Sequence, residues 1–305
     1  MSKTSLKNRD EHVNDSAYEG YEVFSSKPEE EKYRKAKLDD VKNKVSRIKT
    51  LFSRKINVLD VGSGNSKFLY ALREEGILNK GYGVELSKSR YEFANRWKDD
   101  LGADNVININ KDIFCCDLAS FPKFDLIFCA DLAFQFFEPV KRGAGVAFLK
   151  KIHGRINNGG VIVLELDDHN KILKCMDNNR AKIWQEFDEP DPWQYLLWDC
   201  ELKNSHLALT KVFTHRTTTK ISKSSVVLRN YTRHEASELL RSCNFSDIEI
   251  FEYWKTQQDI SKDEFIVVGR IPSIVLFQEC PTKTSDAIEE AFDVIESCIA
   301  RDEHE

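Results

Sequence analysis

Long apolar runs are missing from this 305-residue sequence, and so is an excess of charge of one sign. No stretch approaches the ~20 apolar residues that a membrane-spanning helix needs. The first residues also lack the apolar core of a signal peptide, so a cytoplasmic location is expected. Lys and Arg total 45 against 50 Asp and Glu, and the net charge of −5 gives no general attraction to a nucleic-acid backbone. Nucleic acid and membrane are therefore disfavoured as partners.

The eight cysteines lack the spacing of a metal site or of a disulfide framework. They form no Cys-x-x-Cys pair, and no regularly spaced histidines accompany them. We interpret them as reduced thiols that mostly fill the core, and we predict no metal site. With 41% hydrophobic residues, the chain can bury one large core or a core with a smaller attached element.

Strands that alternate with helices are predicted over most of the chain. The strand candidates INVLDV, GYGVEL, NVININ, FDLIFCA and GGVIVLEL are followed or separated by runs with helix-like apolar spacing. Two more strands, DIEIFEYW and EFIVVGRI, come after the helix TRHEASELLRSCNF, which has capping-box spacing at its start. This alternation predicts an α/β fold with a doubly wound, mostly parallel, seven-stranded Rossmann-like sheet.

The alternation is interrupted once. A helix over HNKILKCMDNNRAKIWQEF is expected to lead into three extended runs, which imply a small antiparallel β lid inserted in the main fold. We therefore expect four parts: an N-terminal helical extension (1–54), a core (55–168 plus 231–270), the inserted lid (169–230) and a C-terminal helical tail (271–305).

The run VLDVGSG ends a predicted strand in a turn that contains Gly62 and Gly64. Glycines there let the backbone approach a ligand closely, and an open parallel sheet binds its ligand at the carboxyl ends of its strands. A dinucleotide site would carry a third glycine where Lys67 stands, and the phosphate-binding Gly-x-x-x-x-Gly-Lys-Ser/Thr loop is absent. The turn alone leaves a plain strand–helix connection open as an alternative.

Together with two further strand ends, this turn resembles the class I S-adenosylmethionine-dependent methyltransferases. VLDVGSG is similar to their first motif, with Asp60 at the acidic position and Ser66 in place of a further glycine. Glu85, which ends GVEL, stands like the family's acidic residue after the second strand, and a carboxylate can accept both ribose hydroxyl hydrogen bonds. Asp112 in NKDIF is placed like the family residue that accepts from the adenine amino group. The resemblance covers the predicted core.

The resemblance implies S-adenosylmethionine as the cofactor and puts its contacts at these strand ends. The expected contacts are Asp60, Gly62, Ser63, Gly64, Glu85, Leu86, Asp112, Ile113 and Asp131. Asp131 and Gln135, which follow the fourth strand, should face the methionine end of the cofactor or the acceptor. CADL at this place differs from the Asn/Asp-Pro-Pro-Tyr/Phe motif of the family's enzymes for DNA bases, so adenine methylation of DNA is disfavoured.

Candidate groups for proton transfer follow the fifth strand in ELDDHN. Its acidic residues and His169 should reach the same rim of the sheet. His169 is predicted as the general base because histidine can accept a proton near neutral pH. Asp131 and, in the insertion, His215 are further candidate catalytic residues. A solvent-facing polar loop is the alternative interpretation.

These patterns predict an enzyme that methylates an oxygen or a nitrogen of a small-molecule metabolite, with the insertion as a lid over the acceptor. Two alternatives stay open. One is methylation of a protein or RNA side group, which would need a wide cleft. The other is a non-catalytic binding subunit that has kept the methyltransferase fold. The insertion or the C-terminal helix could also form the contact of a homodimer.

Overall fold

The computed structural model describes residues 19–218, 220–252, 254 and 264–271. Within them the strands form two sheets, and helices flank the larger one. The strands are β1 (Ile56–Val61), β2 (Leu78–Glu85), β3 (Val106–Asn110), β4 (Phe124–Cys129), β5 (Ile156–Asp167), β6 (Arg180–Glu186), β7 (Trp193–Lys203), β8 (His206–His215), β9 (Ile221–Arg229), β10 (Ser246–Phe251) and β11 (Glu264–Arg270). The helices are α1 (Lys27–Lys49), α2 (Lys67–Glu74), α3 (Lys88–Leu101), α4 (Phe137–Val140), α5 (Ala144–His153), α6 (Asn170–Lys174) and α7 (Arg233–Ser242).

The larger sheet has seven strands in the order β10-β11-β5-β4-β1-β2-β3. The pairs among β1 to β5 are parallel, whereas β11 runs antiparallel to both β5 and β10. This confirms the predicted doubly wound, mostly parallel sheet. The strand order reverses between β1 and β4, so the crevice for a ligand opens at the carboxyl ends of these two strands.

The central strands are apolar in almost every position because both faces of the sheet are covered. Leu59 on β1 and Ile127 on β4 belong to the apolar cluster on one face. Their chain neighbours Val58 and Phe128 belong to the cluster on the other face. Successive side chains of a strand point to opposite faces, so a strand buried on both sides shows no polar alternation.

Local capping residues set the ends of the core helices, and the predicted capping box is confirmed. Gly76 follows α2 with φ of +71°, the left-handed conformation that ends a helix and that glycine adopts without a steric cost. Ser87 caps α3, and its side chain accepts a hydrogen bond from the Arg90 backbone. Thr232 and Glu235 form the reciprocal capping box at the start of α7.

The smaller sheet is antiparallel, with the order β6-β7-β8-β9, and is inserted between β5 and α7. The prediction of a single helix over residues 169–187 was wrong, because α6 is only five residues long and β6 follows it. Asn178 and Asn179 have φ of +48° and +61°. Asparagine tolerates this left-handed conformation, so the pair turns the chain into a fourth strand, where three extended runs were expected.

One face of the smaller sheet packs on the body of the protein. Every second side chain along β8 is buried, and Leu209 belongs to a cluster that packs against Phe136 in the segment after β4. A second cluster around Phe213 packs against Tyr21. β9 also lies against α4. The inserted sheet is therefore anchored both on the segment after β4 and on Tyr21.

Residues 19–25, which we call the N-terminal strap, connect α3 to the inserted sheet. The Gly20 backbone donates to Ser89 Oγ (2.8 Å) at the start of α3. On the other side, Trp193 Nε1 of β7 donates to the Tyr21 carbonyl oxygen (3.1 Å). The strap was not predicted, because a polar segment with no apolar period gives no sign of where it packs.

The predicted C-terminal tail, with its suggested role in a homodimer, falls almost entirely on residues 272–305, which lie outside the described residues. In the part of the chain that the structure describes, no helix is both long and apolar enough to cross a membrane.

Candidate functional site

A cleft with a volume of about 200 Å³ opens at the carboxyl ends of β1, β2 and β4. Its walls come from the glycine turn after β1, from the segments after β2 and β3, and from the segment between β4 and α5. The predicted contacts that line it are Gly62, Ser63, Gly64, Glu85, Leu86, Asp112, Ile113 and Asp131. The fold thus brings together residues that are up to 69 positions apart, from Gly62 to Asp131.

The glycine turn is held against the end of β2. Gly62 and Ser63 both donate their backbone N–H to the Val84 carbonyl oxygen, at 2.9 and 3.1 Å. Gly62 has φ of +70°, and a Cβ atom added to it would lie 2.6 Å from the Cβ of Ala133. A side chain at position 62 is thus excluded by the backbone conformation and by the opposite wall of the cleft.

Ser66 stands where the family usually has a glycine, and its φ of +60° is in the left-handed region. This conformation costs a non-glycine residue roughly 1–2 kcal/mol. Ser66 Oγ donates a 2.7 Å hydrogen bond to Asn108 Oδ1 on β3, which offsets part of that cost. The departure from the family pattern therefore leaves the shape of the turn intact.

Glu85 joins the glycine turn to the start of α3. Its Oε2 accepts from the Gly64 backbone N–H (2.7 Å), and its Oε1 accepts from the Ser87 backbone N–H (2.8 Å). Asp112 lines the cleft beyond β3, where its Oδ1 accepts from the Phe114 backbone N–H (2.9 Å). Two carboxylates at neighbouring strand ends are thus fixed in orientation by backbone donors.

Asp60 lies on β1 beneath the turn and is only 4% exposed. It is not among the residues that line the cleft, unlike the other predicted cofactor contacts. Burial, with the nearby charges of Asp131 and Glu85, raises the pKa of Asp60 to about 8. Its predicted contact with the cofactor stays a prediction.

The raised pKa of Asp60 gives stability a testable pH dependence. Between pH 5 and 8 Asp60 keeps its proton in the folded protein but has lost it in the unfolded chain. The contribution of Asp60 to the free energy of unfolding therefore falls as pH rises, by at most about 1.4 kcal/mol per pH unit. Asp60→Asn cannot titrate. We expect the stability of this variant relative to the parent to increase from pH 5 to pH 8 in urea unfolding. A constant difference across this range would contradict the raised pKa.

Asp131 sits at the edge of the cleft between two lysines. Lys44 Nζ of α1 lies 3.2 Å from Asp131 Oδ1, and Lys67 Nζ of α2 lies 3.3 Å from Oδ2. Their charges hold the pKa of Asp131 well below its usual range. The carboxylate is 60% exposed, so solvent screens both ion pairs. Lys67 also lines the cleft; sequence reasoning considered this position only as a missing glycine.

Glu165, at the end of β5, is 2% exposed and belongs to the packing of the body. Its Oε2 accepts from Lys44 Nζ (2.6 Å), and its Oε1 accepts from Trp254 Nε1 (2.8 Å). It also accepts from the Asp131 backbone N–H at 3.2 Å. Glu165 thus ties α1 to the ends of β4 and β5, and it does not line the cleft.

Arg90 forms a wall of the cleft that sequence reasoning missed. Its Nε donates to Glu22 Oε1 (3.2 Å), and its guanidinium carbon lies 5.9 Å from the centre of the Tyr21 ring. Burial raises the pKa of Glu22, whose side chain is 1% exposed. The N-terminal strap therefore holds Arg90, a residue that lines the cleft, in place. An arginine on a helix surface gives no sequence signal of such a contact.

His169 lies at the end of β5 but is 1% exposed and does not line the cleft. Its Nδ1 is 3.2 Å from Asn230 Oδ1, and its Nε2 is buried without a hydrogen-bond partner. The neighbouring Asp168 forms an ion pair with Arg233. The role of His169 as a general base stays a prediction, which this burial does not favour.

His215 joins the inserted sheet to the strap. Its Nε2 lies 3.2 Å from the Val23 carbonyl oxygen, and its Nδ1 accepts from the Thr217 backbone N–H (3.3 Å). The ring packs against Trp193 at 5.3 Å between centroids. Both ring nitrogens are engaged and the residue is 4% exposed, so a catalytic role for His215 has no support in its contacts.

Gln135 was expected to face the cofactor or the acceptor, and that expectation was wrong. The residue is fully buried and does not line the cleft. Its Nε2 donates to the carbonyl oxygens of Asp167 (3.0 Å) and Arg229 (2.9 Å), and its Oε1 accepts from the Asp167 backbone N–H. Gln135 clamps the two ends of the insertion together.

Comparison with known protein families gives a match over residues 52–201 to a family described as a methyltransferase domain. The carboxy-S-adenosyl-L-methionine synthase of Campylobacter hominis is 31% identical over 112 residues, which is 36% of this chain and 44% of that protein. A tRNA (guanine-N(7)-)-methyltransferase of Synechococcus is 44% identical over 48 residues, 16% of this chain and 20% of that protein. The chain thus spans less than half the length of these curated relatives.

Solved structures share the fold over most of the chain. A S-adenosylmethionine-dependent methyltransferase from Clostridium acetobutylicum has a TM-score of 0.61 at 15% identity and covers 78% of this chain and 92% of that chain. The CcbJ methyltransferase from Streptomyces caelestis has a TM-score of 0.62 at 14% identity, over 76% and 90%. An amino pentose methyltransferase from Micromonospora echinaspora has a TM-score of 0.57 at 17% identity, over 82% and 99%. At these identities the likeness concerns the fold.

Proposed function

Because the chain belongs to the class I S-adenosylmethionine-dependent methyltransferases, we propose that it transfers a methyl group to an oxygen or a nitrogen of a small-molecule metabolite. The observation that carries the small-molecule part is the packing of the inserted sheet against Phe136, which lines the cleft, and against Tyr21, which contacts the lining residue Arg90. A cover of this kind limits the size of the acceptor, whereas a protein or RNA acceptor would need an open cleft.

The residues that line the cleft fit S-adenosylmethionine in their chemistry. Gly62 lets the turn lie close against Ala133 on the opposite wall, Glu85 offers a carboxylate for the ribose hydroxyls, and Asp112 offers one for the adenine amino group. Leu86 and Ile113 supply the apolar surface for the adenine ring between them. When bound, the cofactor supplies an activated methyl group on a sulfonium centre.

The protein's own contribution is positioning and the exclusion of water. Lys67 and Asp131 place opposite charges at the end of the cleft where the α-carboxylate and α-amino groups of the methionine moiety would bind. Phe136 and Phe137 line the cleft on the side where β9 packs, so the wall next to the acceptor is apolar. A neutral amine acceptor needs no general base, in agreement with the absence of histidine among the described residues that line the cleft.

The proposal is tested with methyl-labelled S-adenosylmethionine and a cell extract separated by ultrafiltration into low-mass and macromolecular fractions. We expect label to appear in the low-mass fraction. Label in protein or RNA alone would overturn the small-molecule assignment. Cofactor binding without transfer to either fraction would support a binding subunit instead.

Variants of Glu85 measure its share of cofactor binding. Glu85→Ala should weaken S-adenosylmethionine binding by roughly 1.5–3 kcal/mol, the scale of hydrogen bonds to a charged group. Glu85→Gln should weaken it less, because the amide oxygen keeps one of the two backbone hydrogen bonds to Gly64 and Ser87. Calorimetric titration of both folded variants checks the order. Parent-like affinity in Glu85→Ala would remove this residue from the site.

A further inference from the structure

The chain makes a strained turn directly after β4, at the edge of the cleft. Asp131 and Leu132, which we call the β4 turn, have φ of +50° and +69°, in the left-handed region that residues other than glycine rarely adopt. A leucine side chain forms no local hydrogen bond that would favour this conformation, so the surrounding contacts have to impose it. Strain of this kind clusters at functional sites, and the contacts that hold the turn indicate what it positions.

The β4 turn connects the cleft with the inserted sheet. Asp131 lines the cleft, whereas Leu132 packs against the apolar cluster of the inserted sheet, as Phe136 does. The next residue, Ala133, also lines the cleft and lies opposite Gly62. The conformation of the β4 turn therefore sets where the Asp131 carboxylate stands relative to the glycine turn.

Glu165 holds the β4 turn from the interior of the protein. Its Oε2 accepts from the Asp131 backbone N–H (3.2 Å) and from Lys44 Nζ (2.6 Å), and its Oε1 accepts from Trp254 Nε1 (2.8 Å). All three partners are donors, so they match a carboxylate, which only accepts. An amide has one acceptor oxygen and cannot satisfy all three. The Glu165 carboxylate is thus fixed next to the cleft without lining it.

Lys44 is shared between two carboxylates. Its Nζ lies 2.6 Å from Glu165 Oε2 and 3.2 Å from Asp131 Oδ1. The Glu165 side chain is 2% exposed and that of Asp131 is 60% exposed. Attraction is stronger at the shorter distance and where solvent screens less, so Lys44 pairs more strongly with Glu165. The Asp131 carboxylate therefore keeps the capacity to bind a cationic group in the cleft.

We propose that Glu165 is a positioning residue for the amino-acid end of the cofactor. It fixes the strained β4 turn and draws Lys44 away from Asp131, so that the Asp131 carboxylate is available to the ammonium group of the methionine moiety. The inference rests on the proposed function, which assigns the methionine moiety to this end of the cleft. Glu165 contacts no ligand itself and acts through Asp131.

Glu165→Gln keeps the shape of the side chain and removes its charge. The amide oxygen can still accept from the Asp131 backbone, but Lys44 then pairs with the Asp131 carboxylate and competes with the ligand ammonium. We expect the affinity for S-adenosylhomocysteine to fall about 10-fold in calorimetric titration. 5′-Methylthioadenosine, which lacks the amino and carboxylate groups, should bind as it binds to the parent. An equal loss for both ligands, or no loss for either, would overturn the positioning role.

Removal of Lys44 as well separates this role from a merely structural one. Lys44→Met in the Glu165→Gln background takes away the competing cation, and neither member of the ion pair is left buried without the other. We expect the double variant to recover the affinity for S-adenosylhomocysteine to within about 3-fold of the parent, a non-additive result. An affinity as low as that of Glu165→Gln alone would overturn the inference.

Asp125→Asn is the matched control. Asp125 on β4 is 2% exposed, accepts from the Asn57 backbone N–H (2.8 Å) and pairs with Arg54 (2.7 Å). It lies near the amino end of β4 and does not line the cleft. We expect a lower Tm, as in Glu165→Gln, with parent-like affinity for both ligands. A selective loss of S-adenosylhomocysteine affinity in Asp125→Asn would mean that any buried ion pair of the sheet has this effect, which overturns the assignment.

A smaller change is measured if Glu165→Gln gives no cooperative thermal transition. Glu165→Asp keeps the charge but withdraws it by one methylene group, and we expect a selective loss of S-adenosylhomocysteine affinity of about 3-fold. Affinity equal to that of the parent would overturn the inference while the proposed function stands. A parent protein that binds neither ligand would instead remove the proposed function, and the role of Glu165 with it.

Discussion

Gly62→Val is expected to reduce S-adenosylmethionine affinity by more than about 100-fold. The backbone at this position has φ of +70°, which β-branched residues strongly avoid. A Cβ atom would also lie 2.6 Å from the Cβ of Ala133, which is closer than two non-bonded carbon atoms approach each other in a folded protein. To relieve the backbone strain and the clash with Ala133, the turn has to move. The ligand then loses the surface of the turn against which it is expected to pack. Calorimetric titration measures the loss.

A matched variant separates this effect from the general cost of a left-handed residue. Gly76→Ala also meets a positive φ, +71°, but nothing lies within 4 Å of its added Cβ, and Gly76 does not line the cleft. We expect Gly76→Ala to lower the Tm while cofactor affinity stays at the parent value. Parent-like affinity in a folded Gly62→Val protein would refute the role assigned to the glycine turn.

Removal of the inserted sheet is expected to abolish methyl transfer, with a loss of about 100-fold or more, and to leave S-adenosylmethionine binding largely in place. The predicted cofactor contacts lie at the ends of β1 to β4, which the excision does not remove. The acceptor, in contrast, loses its cover and its protection from water.

The clamp at Gln135 shows where to cut. Its Nε2 donates to the carbonyl oxygens of Asp167 and Arg229, so both ends of the insertion meet at one side chain. A short Gly/Ser linker in place of residues 171–228 can therefore close the gap without strain. A single cooperative thermal transition would establish that the shortened protein folds. A folded variant that transfers methyl groups at the parent rate would show that the insertion serves another purpose.

Local signals in the sequence account for the parts of the fold and site that could be predicted. The apolar runs of β1 and β4 and the caps at Ser87 and Thr232 are each encoded within a few residues. Glu85 could also be predicted from local sequence, because this carboxylate is the last residue of its strand. Such features need no knowledge of what packs against them.

Features that depend on distant segments were missed or misplaced. The ion pair of Arg90 with Glu22 joins residues 68 positions apart, and no local pattern encodes it. Likewise, His169 and Gln135 look like polar rim residues in the sequence, but the packing of the inserted sheet buries both. Burial of a polar side chain is decided by tertiary contacts, which residue type and spacing do not reveal.

Calorimetric titration of the parent protein with S-adenosylmethionine and with its demethylated product S-adenosylhomocysteine tests the central claim most directly. We expect saturable binding of both ligands at one site, because Gly62, Glu85 and Asp112 line the cleft and are proposed to contact parts that the two molecules share. Absence of binding for both ligands, in a protein shown to be folded by its thermal transition, would contradict it.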